Sequence, residues 1–135
     1  MTRYWMAADL LVVLLFVGIG RSTHHHLVDL VGMISTTWPF AVGLTIGWLI
    51  VLLRHQRLVS LGAGVEVWLA TVALGMIVRV IAGQGTALAF IFVALGFLGT
   101  LMLGLRLVHT ALTRSNGVTR APSASKPEEN GGNFV

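Results

Sequence analysis

The chain has 135 residues, enough for one domain. Apolar residues make up 56% and charged residues 10%, whereas a soluble domain is about 45–50% apolar and about a quarter charged. This composition excludes an ordinary soluble domain, the scattered Lys and Arg argue against nucleic-acid binding, and the lack of Cys excludes disulfides and thiolate ligation.

Four apolar runs are long enough to be membrane spans, which need about 17–25 mostly apolar residues. Backbone polar groups in the lipid core must pair internally, so each run is predicted to be a helix. The expected fold class is an all-α integral membrane bundle of four transmembrane helices, within a domain spanning residues 1–112. The predicted helices cover residues 4–20, 37–54, 64–82 and 86–109.

The ends of these runs carry helix and turn signals. The first run follows Arg3 and could be read as a secretory signal peptide, but Asp9 lies inside it and no Ala-x-Ala site follows. At the second run, Thr36 or Thr37 can cap the helix, with Pro39 in its first turn. The third run stops at the turn formed by residues 83–85.

Two segments outside the runs have different compositions. Residues 22–36 contain several apolar side chains, and this segment is predicted to lie as a short helix in the membrane interface. Residues 113–135 are rich in polar residues, Gly and Pro, and are predicted to form a disordered cytoplasmic tail.

The distribution of Lys and Arg predicts the orientation, because positively charged loops tend to remain cytoplasmic. With four helices, the N-terminus, the second loop and the C-terminal tail share one side, which holds seven of the nine Lys and Arg. The other side holds Arg21 and Arg79. The expected arrangement has both ends inside, in a multi-pass protein of the plasma membrane.

Helices one and two resemble helices three and four, which predicts a tandem two-helix repeat with a pseudo-two-fold axis along the membrane normal. Low-complexity apolar sequence also produces such matches by chance, and chance is the favoured interpretation. Asp9 and Gly18 match Glu66 and Gly75 at one offset, and Phe40, Gly47 and Arg54 match Phe92, Gly99 and Arg106 at another.

Small residues spaced four apart form ridges that allow close helix packing in lipid. We expect these ridges to pack inside the bundle, with a dimer face as the alternative, and the oligomeric state stays open. They comprise Gly43 and Gly47, then Thr71 and Gly75, and finally Gly96, Thr100 and Gly104.

Four ionisable residues lie within the predicted membrane spans or at their ends. They are the candidate functional residues, because placing a charge in the membrane costs free energy. Asp9 and Glu66 lie near helix starts, where the helix dipole stabilises an anion; alternatively, they face each other and carry protons or cations. Arg21 and Arg79 either snorkel to the outer interface or share an anion site for a phosphate or lipid headgroup. The interior of the bundle is thus expected to be acidic and its outer end basic.

Three successive histidines, His24 to His26, suggest a metal site, but consecutive helical side chains diverge and cannot converge on one ion. His25 or His26 could combine with Asp29, although two or three ligands make a weak site. A solvated loop is the favoured interpretation, so neither a metal nor another cofactor is predicted.

The chain resembles a family of small bacterial four-helix membrane proteins known only as a domain of unknown function, number 3054. The resemblance spans roughly residues 5–110 and implies the same architecture, with no known activity, substrate or cofactor. It also implies common polar positions at Asp9, Arg21 and His24. The motifs that carry it are Trp38-Pro39-Phe40, Val67-Trp68-x-x-Thr71, Gly75-Met76-x-x-Arg79 and Gly83-x-Gly85-Thr86-Ala87.

The functional hypothesis is a membrane component that binds an anionic lipid or a membrane protein partner through Arg21, Arg79 and His24. The alternative is a small proton- or cation-coupled transporter or channel component that uses Asp9 and Glu66. An enzyme is not expected, because the chain has no nucleophile elbow, no metal-binding motif and no carboxylate-rich loop.

Overall fold

The computed structural model describes residues 2–22 and 30–118, and within these ranges its regular secondary structure consists of helices. Successive helices run in opposite directions. We call the end where α1 and α3 begin the terminal end, and the opposite end the loop end. The helices are α1 (Thr2–Ser22), α2 (Leu30–Leu53), α3 (Leu61–Ile81) and α4 (Leu88–Val118).

All four helices are long and apolar enough to cross a membrane, which confirms the predicted fold class. The shortest have 21 residues, or about 31 Å at 1.5 Å per residue. Only 22–39% of each apolar window is buried inside the protein. Large apolar side chains therefore cover the outside of the bundle, as expected where lipid replaces water as the solvent.

The helix bounds differ from the predicted ones most clearly in α2 and α4. α2 begins at Leu30, so Pro39 lies inside the helix and its predicted place in the first turn is wrong. Residues 30–36 of the predicted interfacial segment belong to this long helix. α4 continues to Val118, so residues 113–118 of the predicted tail are helical. The remainder of the tail, residues 119–135, lies outside the described residues.

α3 begins three residues earlier than predicted, because Ser60 caps it. The Ser60 side chain accepts a hydrogen bond from the Ala63 backbone N–H at 3.2 Å, as an N-cap serine does. At its other end, Gly83 and Gly85 adopt positive φ angles of 70° and 67°. These conformations favour glycine and produce the predicted turn into α4.

The helices form a ring in which each packs against its neighbours in sequence and α1 closes against α4. The α2–α3 pair is the closest, and the first two predicted ridges form it. A Cβ atom at Gly43 would lie 2.8 Å from the Thr71 carbonyl oxygen, and one at Gly75 would lie 2.8 Å from the Phe40 ring. Close backbone approach therefore holds this pair together.

The third predicted ridge does not pack inside the bundle. A Cβ atom at Gly96 or Gly104 would meet nothing within 4 Å, and Thr100 is exposed. Gly99 provides the close contact on α4, since its Cβ position lies 2.8 Å from the Trp68 ring. The predicted intramolecular role of the third ridge is therefore wrong.

Four phenylalanines fill the middle of the bundle. The Phe16 ring of α1 lies 5.7 Å from Phe40 of α2 and 5.6 Å from both Phe90 and Phe97 of α4, measured between ring centroids. These separations are typical of favourable aromatic pairs. The cluster extends to the loop end, where Phe90 contacts Arg79.

Replacing Gly43 with Ala should destabilise the protein, because the new methyl group meets α3 backbone atoms, which cannot rotate away. We expect a loss of about 1–3 kcal/mol in the free energy of unfolding, as for an overpacked core. Unfolding of the purified protein in mixed micelles would measure it.

Gly96→Ala is the matched control, because a methyl group there meets nothing within 4 Å. It should be neutral or gain up to about 1 kcal/mol from the higher helix propensity of Ala. Equal stability of the two variants would contradict the close α2–α3 packing.

Candidate functional site

Asp9 and Arg106 form a buried ion pair near the terminal end. Asp9 is 1% exposed and Arg106 0% exposed. The Arg106 guanidinium donates from Nη1 to Asp9 Oδ1 at 2.8 Å and from Nη2 to Asp9 Oδ2 at 2.9 Å. Trp48 Nε1 donates to the same Oδ2 at 3.2 Å. Two parallel bonds of this kind give both geometric specificity and strength.

Two further Arg106 donors are also used. Nε donates to the Leu58 carbonyl oxygen at 3.0 Å, and Nη1 donates to the Met102 carbonyl oxygen at 3.0 Å. The guanidinium carbon lies 5.2 Å from the centroid of the Trp5 ring, within the range of a cation–π interaction. Arg106 thus connects α4 to α1 and to the α2–α3 connection.

A glycine in α3 makes room for Arg106. A Cβ atom at Gly64 would lie 2.9 Å from Arg106 Nε and would also meet Cδ. The guanidinium can therefore cross the α3 backbone to reach Asp9 and Leu58. Gly64 is a local requirement of the ion pair rather than a general packing position.

Glu66, the second acidic candidate, has a different partner. Arg54 Nη1 lies 2.9 Å from Glu66 Oε1, and their side chains are 62% and 30% exposed. Glu66 Oε2 is shielded and has no hydrogen-bond partner in the part of the chain that the structure describes. Asp9 and Glu66 share no hydrogen bond within residues 2–22 and 30–118; each contacts an arginine instead.

The two ion pairs follow the predicted repeat. Exchanging the halves of the chain converts Asp9 to Glu66 and Arg106 to Arg54, so one pair maps onto the other. Other matched positions do not follow it. Phe40 is buried whereas Phe92 is 70% exposed. The repeat therefore stays a prediction, supported by the charged positions and not by the packing.

Arg79 lies at the loop end, where it contacts the α3–α4 connection and α4. Nη1 donates to Gln84 Oε1 at 3.1 Å, and Nη2 donates to the Gly85 carbonyl oxygen at 3.4 Å. Its guanidinium carbon lies 4.9 Å from the Phe90 ring centroid. Its Nε is shielded and has no hydrogen-bond partner within the described ranges.

Arg21 lies at the same end of the bundle. Its Nη1 donates to Thr36 Oγ1 at 3.3 Å. Gln84, which accepts from Arg79, donates from Nε2 to the Ser35 carbonyl oxygen at 2.8 Å. The two arginines thus connect to consecutive residues of α2, Arg21 directly and Arg79 through Gln84.

Pro39 explains why Gln84 binds at Ser35. Proline has no N–H, so the carbonyl four residues earlier, that of Ser35, loses its helical donor. Gln84 supplies the missing donor from the α3–α4 connection. A kink residue in α2 thereby positions the side chain that holds Arg79.

The expected separation of an acidic interior from a basic outer end is only partly right. Arg21 and Arg79 do lie at one end, but Asp9 is neutralised by Arg106 deep in the bundle. His24 and the proposed metal ligands His25, His26 and Asp29 lie outside the described residues. Within the described ranges, no group of three or more potential metal ligands occurs.

Sequence reasoning misses Arg106 as a site residue, because its charge is explained by topology and its position by the repeat. Two signals pointed to it. It lies inside the fourth apolar run, three residues before the predicted end at His109. It also matches Arg54 in the predicted repeat, just as Asp9 matches Glu66.

The model of a family described as "Protein of unknown function (DUF3054)" matches residues 6–109. The chain belongs to this family. The matched range contains both ion pairs and both loop-end arginines. No curated protein and no solved structure is detectably similar to the chain.

Removing Arg106 should strongly destabilise the protein, because it leaves the Asp9 carboxylate buried without a counter-charge. For Arg106→Met we expect a loss of about 3–5 kcal/mol in the free energy of unfolding. Asp9→Leu combined with Arg106→Met should recover most of this loss, since no lone charge remains. Unfolding of the purified variants in mixed micelles would test both expectations.

The exposed pair provides the matched control. Arg54→Met should cost no more than about 1 kcal/mol, as for exposed ion pairs. If Arg106→Met were as mild as Arg54→Met, the Asp9–Arg106 pair would not have the structural role assigned to it.

Proposed function

We propose that this multi-pass membrane protein binds an anionic lipid or an acidic segment of a membrane protein partner at the loop end. One observation carries the proposal. Arg21 and Arg79 come from different helices and connect to the consecutive residues Thr36 and Ser35 of α2. Two guanidinium groups linked to consecutive residues of α2, one directly and one through Gln84, suit a phosphate or carboxylate, which accepts several N–H donors at once.

The state of Arg79 supports the same proposal. Its carbonyl, amide and aromatic contacts are all uncharged, and no carboxylate contacts it within the described ranges. The positive charge is therefore left without a counter-ion there, and the shielded Nε keeps an unused donor. In contrast, Arg54 and Arg106 at the terminal end each have a carboxylate partner.

Orientation and compartment belong to this proposal as well. We place the protein in the plasma membrane with its terminal end facing the cytoplasm. The loop-end arginines then lie at the outer surface. The bound group would then be an outer-leaflet phospholipid or the outer segment of a partner. The positive-inside distribution of Lys and Arg supports this orientation.

Replacing Arg21 and Arg79 together with Gln should remove the bound group, because amides lack the charge and the fork of donors. Protein purified under mild conditions from its membrane should lose at least about 90% of the co-purifying acidic lipid or partner, the tenfold change expected from about 1.4 kcal/mol. Lipid extraction with mass spectrometry and protein gels would measure this.

The control replaces Arg57 and Arg114, two exposed arginines at the terminal end, with Gln. It removes the same charge from the opposite end. Unchanged retention in the Arg21 and Arg79 variant, or equal loss in the control, would reject the loop-end site.

A transporter or channel component is the second candidate, favoured by one observation. Glu66 Oε2 is shielded from solvent and has no partner in the described residues, and buried carboxylates in membrane helices often serve in proton transfer. Against it, both Asp9 carboxylate oxygens already accept hydrogen bonds from the Arg106 guanidinium.

Proteoliposomes that contain the Asp9→Asn and Glu66→Gln double variant should lose any flux driven by a pH gradient if this second candidate is right. Glu66→Gln alone should abolish the same flux while leaving the buried pair intact. A flux identical to that of the parent would eliminate both carboxylates as carriers.

A further inference from the structure

A groove opens between α1 and α4 at the terminal end, on the opposite end of the bundle from the loop-end arginines. Its volume is about 340 Å³, and its lining is almost entirely apolar. α1 and α4 approach each other less closely than α2 and α3 do, which leaves the space unfilled. The lining residues are Tyr4, Trp5, Ala8, Leu105 and His109.

Trp5 separates this groove from the buried ion pair. One side of its ring contacts the Arg106 guanidinium, and His109 meets it edge-on with 5.3 Å between ring centroids. The position of Trp5 is thus fixed from two directions. An occupant of the groove would contact a rigid aromatic wall.

His109 is the polar group of the groove whose pairing is incomplete. Its Nδ1 is shielded and has no hydrogen-bond partner in the described part of the chain. A neutral imidazole carries one proton, and a buried unpaired N–H is costly. In the tautomer with the proton on Nε2, that nitrogen can donate a hydrogen bond to a group in the groove.

The surroundings of the groove are positively charged. Arg3, Arg54, Arg57 and Arg114 are exposed at the terminal end. Among described residues, Glu66 is the acid exposed in part at this end, and it already pairs with Arg54. Such a cluster near a membrane surface attracts anionic lipids.

We infer that the groove binds one acyl chain of an anionic phospholipid, with its phosphate at the level of Tyr4 and His109. The bilayer supplies apolar chains on this surface, and Trp and Tyr at a helix start lie at headgroup depth. The apolar walls take the chain, His109 Nε2 donates to the headgroup, and the arginines favour a negative one. This site is independent of the proposed loop-end function.

The test uses Trp5 as a built-in probe. The protein is reconstituted into phosphatidylcholine vesicles that contain, at equal mole fraction, either chain-brominated phosphatidylglycerol or chain-brominated phosphatidylcholine. Bromine quenches tryptophan fluorescence on contact. The Trp5 contribution is the difference between the parent and Trp5→Phe. We expect quenching of this contribution to be about twofold stronger with phosphatidylglycerol, because the terminal end is electropositive.

Ala8→Phe fills the groove and should abolish this preference. Ala7→Phe adds the same ring at an exposed neighbouring position that does not line the groove, and it should keep the preference. His109→Leu leaves the groove open without the donor and should reduce the preference, even if Ala8→Phe fails to fold.

Equal quenching by the two brominated lipids would show annular contact only and would overturn the inference. So would a preference that survives both Ala8→Phe and His109→Leu. Because Arg21 and Arg79 are unchanged throughout, failure here leaves the loop-end proposal untouched. Conversely, the variant with Arg21 and Arg79 replaced can lose its bound lipid while the preference of the groove for phosphatidylglycerol is unchanged.

Discussion

The Asp9–Arg106 ion pair is the interaction on which the terminal half of the bundle depends. Arg106 has five N–H donors, and four hydrogen bonds from them reach Asp9, Leu58 and Met102. These partners belong to α1, the α2–α3 connection and α4. A buried charge of this kind tolerates little displacement, because each lost bond leaves a polar group in a medium that cannot solvate it. The pair therefore fixes the relative register of three segments.

A buried ion pair is weak evidence for net stability, since desolvation offsets much of the attraction. Its contribution here is better understood as specificity. Apolar side chains pack well in many registers within a membrane, where the solvent is equally apolar. The bidentate geometry favours one arrangement, and Gly64 leaves room for the Arg106 side chain in it. This is a hypothesis about specificity, and the double replacement of both residues distinguishes it from a stabilising role.

At both ends of the bundle, a long side chain donates a hydrogen bond to a backbone carbonyl that lacks a helical N–H donor. At the terminal end, the Leu58 carbonyl lies outside the helices and accepts from Arg106. At the loop end, Pro39 deprives the Ser35 carbonyl of its donor, and Gln84 replaces it. Because the hydrocarbon core supplies no water for such carbonyls, side chains must pair with them. The polar residues of this protein are placed by the irregularities of its backbone.

The four helices could be predicted from the sequence because hydropathy and length alone define membrane spans. The start of α2 could not, because Pro39 signalled a first turn and the helix tolerates it in its interior. The partner of Asp9 was also beyond reach, since Arg106 lies 97 residues away and its charge was assigned to topology. The antiparallel order of the helices predicts that Arg21 and Arg79 lie at one end. Their links to Thr36 and Ser35 of α2 could not be predicted, because no sequence pattern indicates them.

The long sequence separation of the buried pair has a consequence for biogenesis. α1 leaves the ribosome well before α4, so Asp9 enters the membrane before its counter-charge exists. An Asp at the centre of a lone helix costs about 2.5–3.5 kcal/mol during insertion, and α1, with Asp9 nearer its start, must bear part of such a cost until α4 arrives. Pairing with Arg106 then relieves this cost, so the assembly of the first helix depends on the synthesis of the last one.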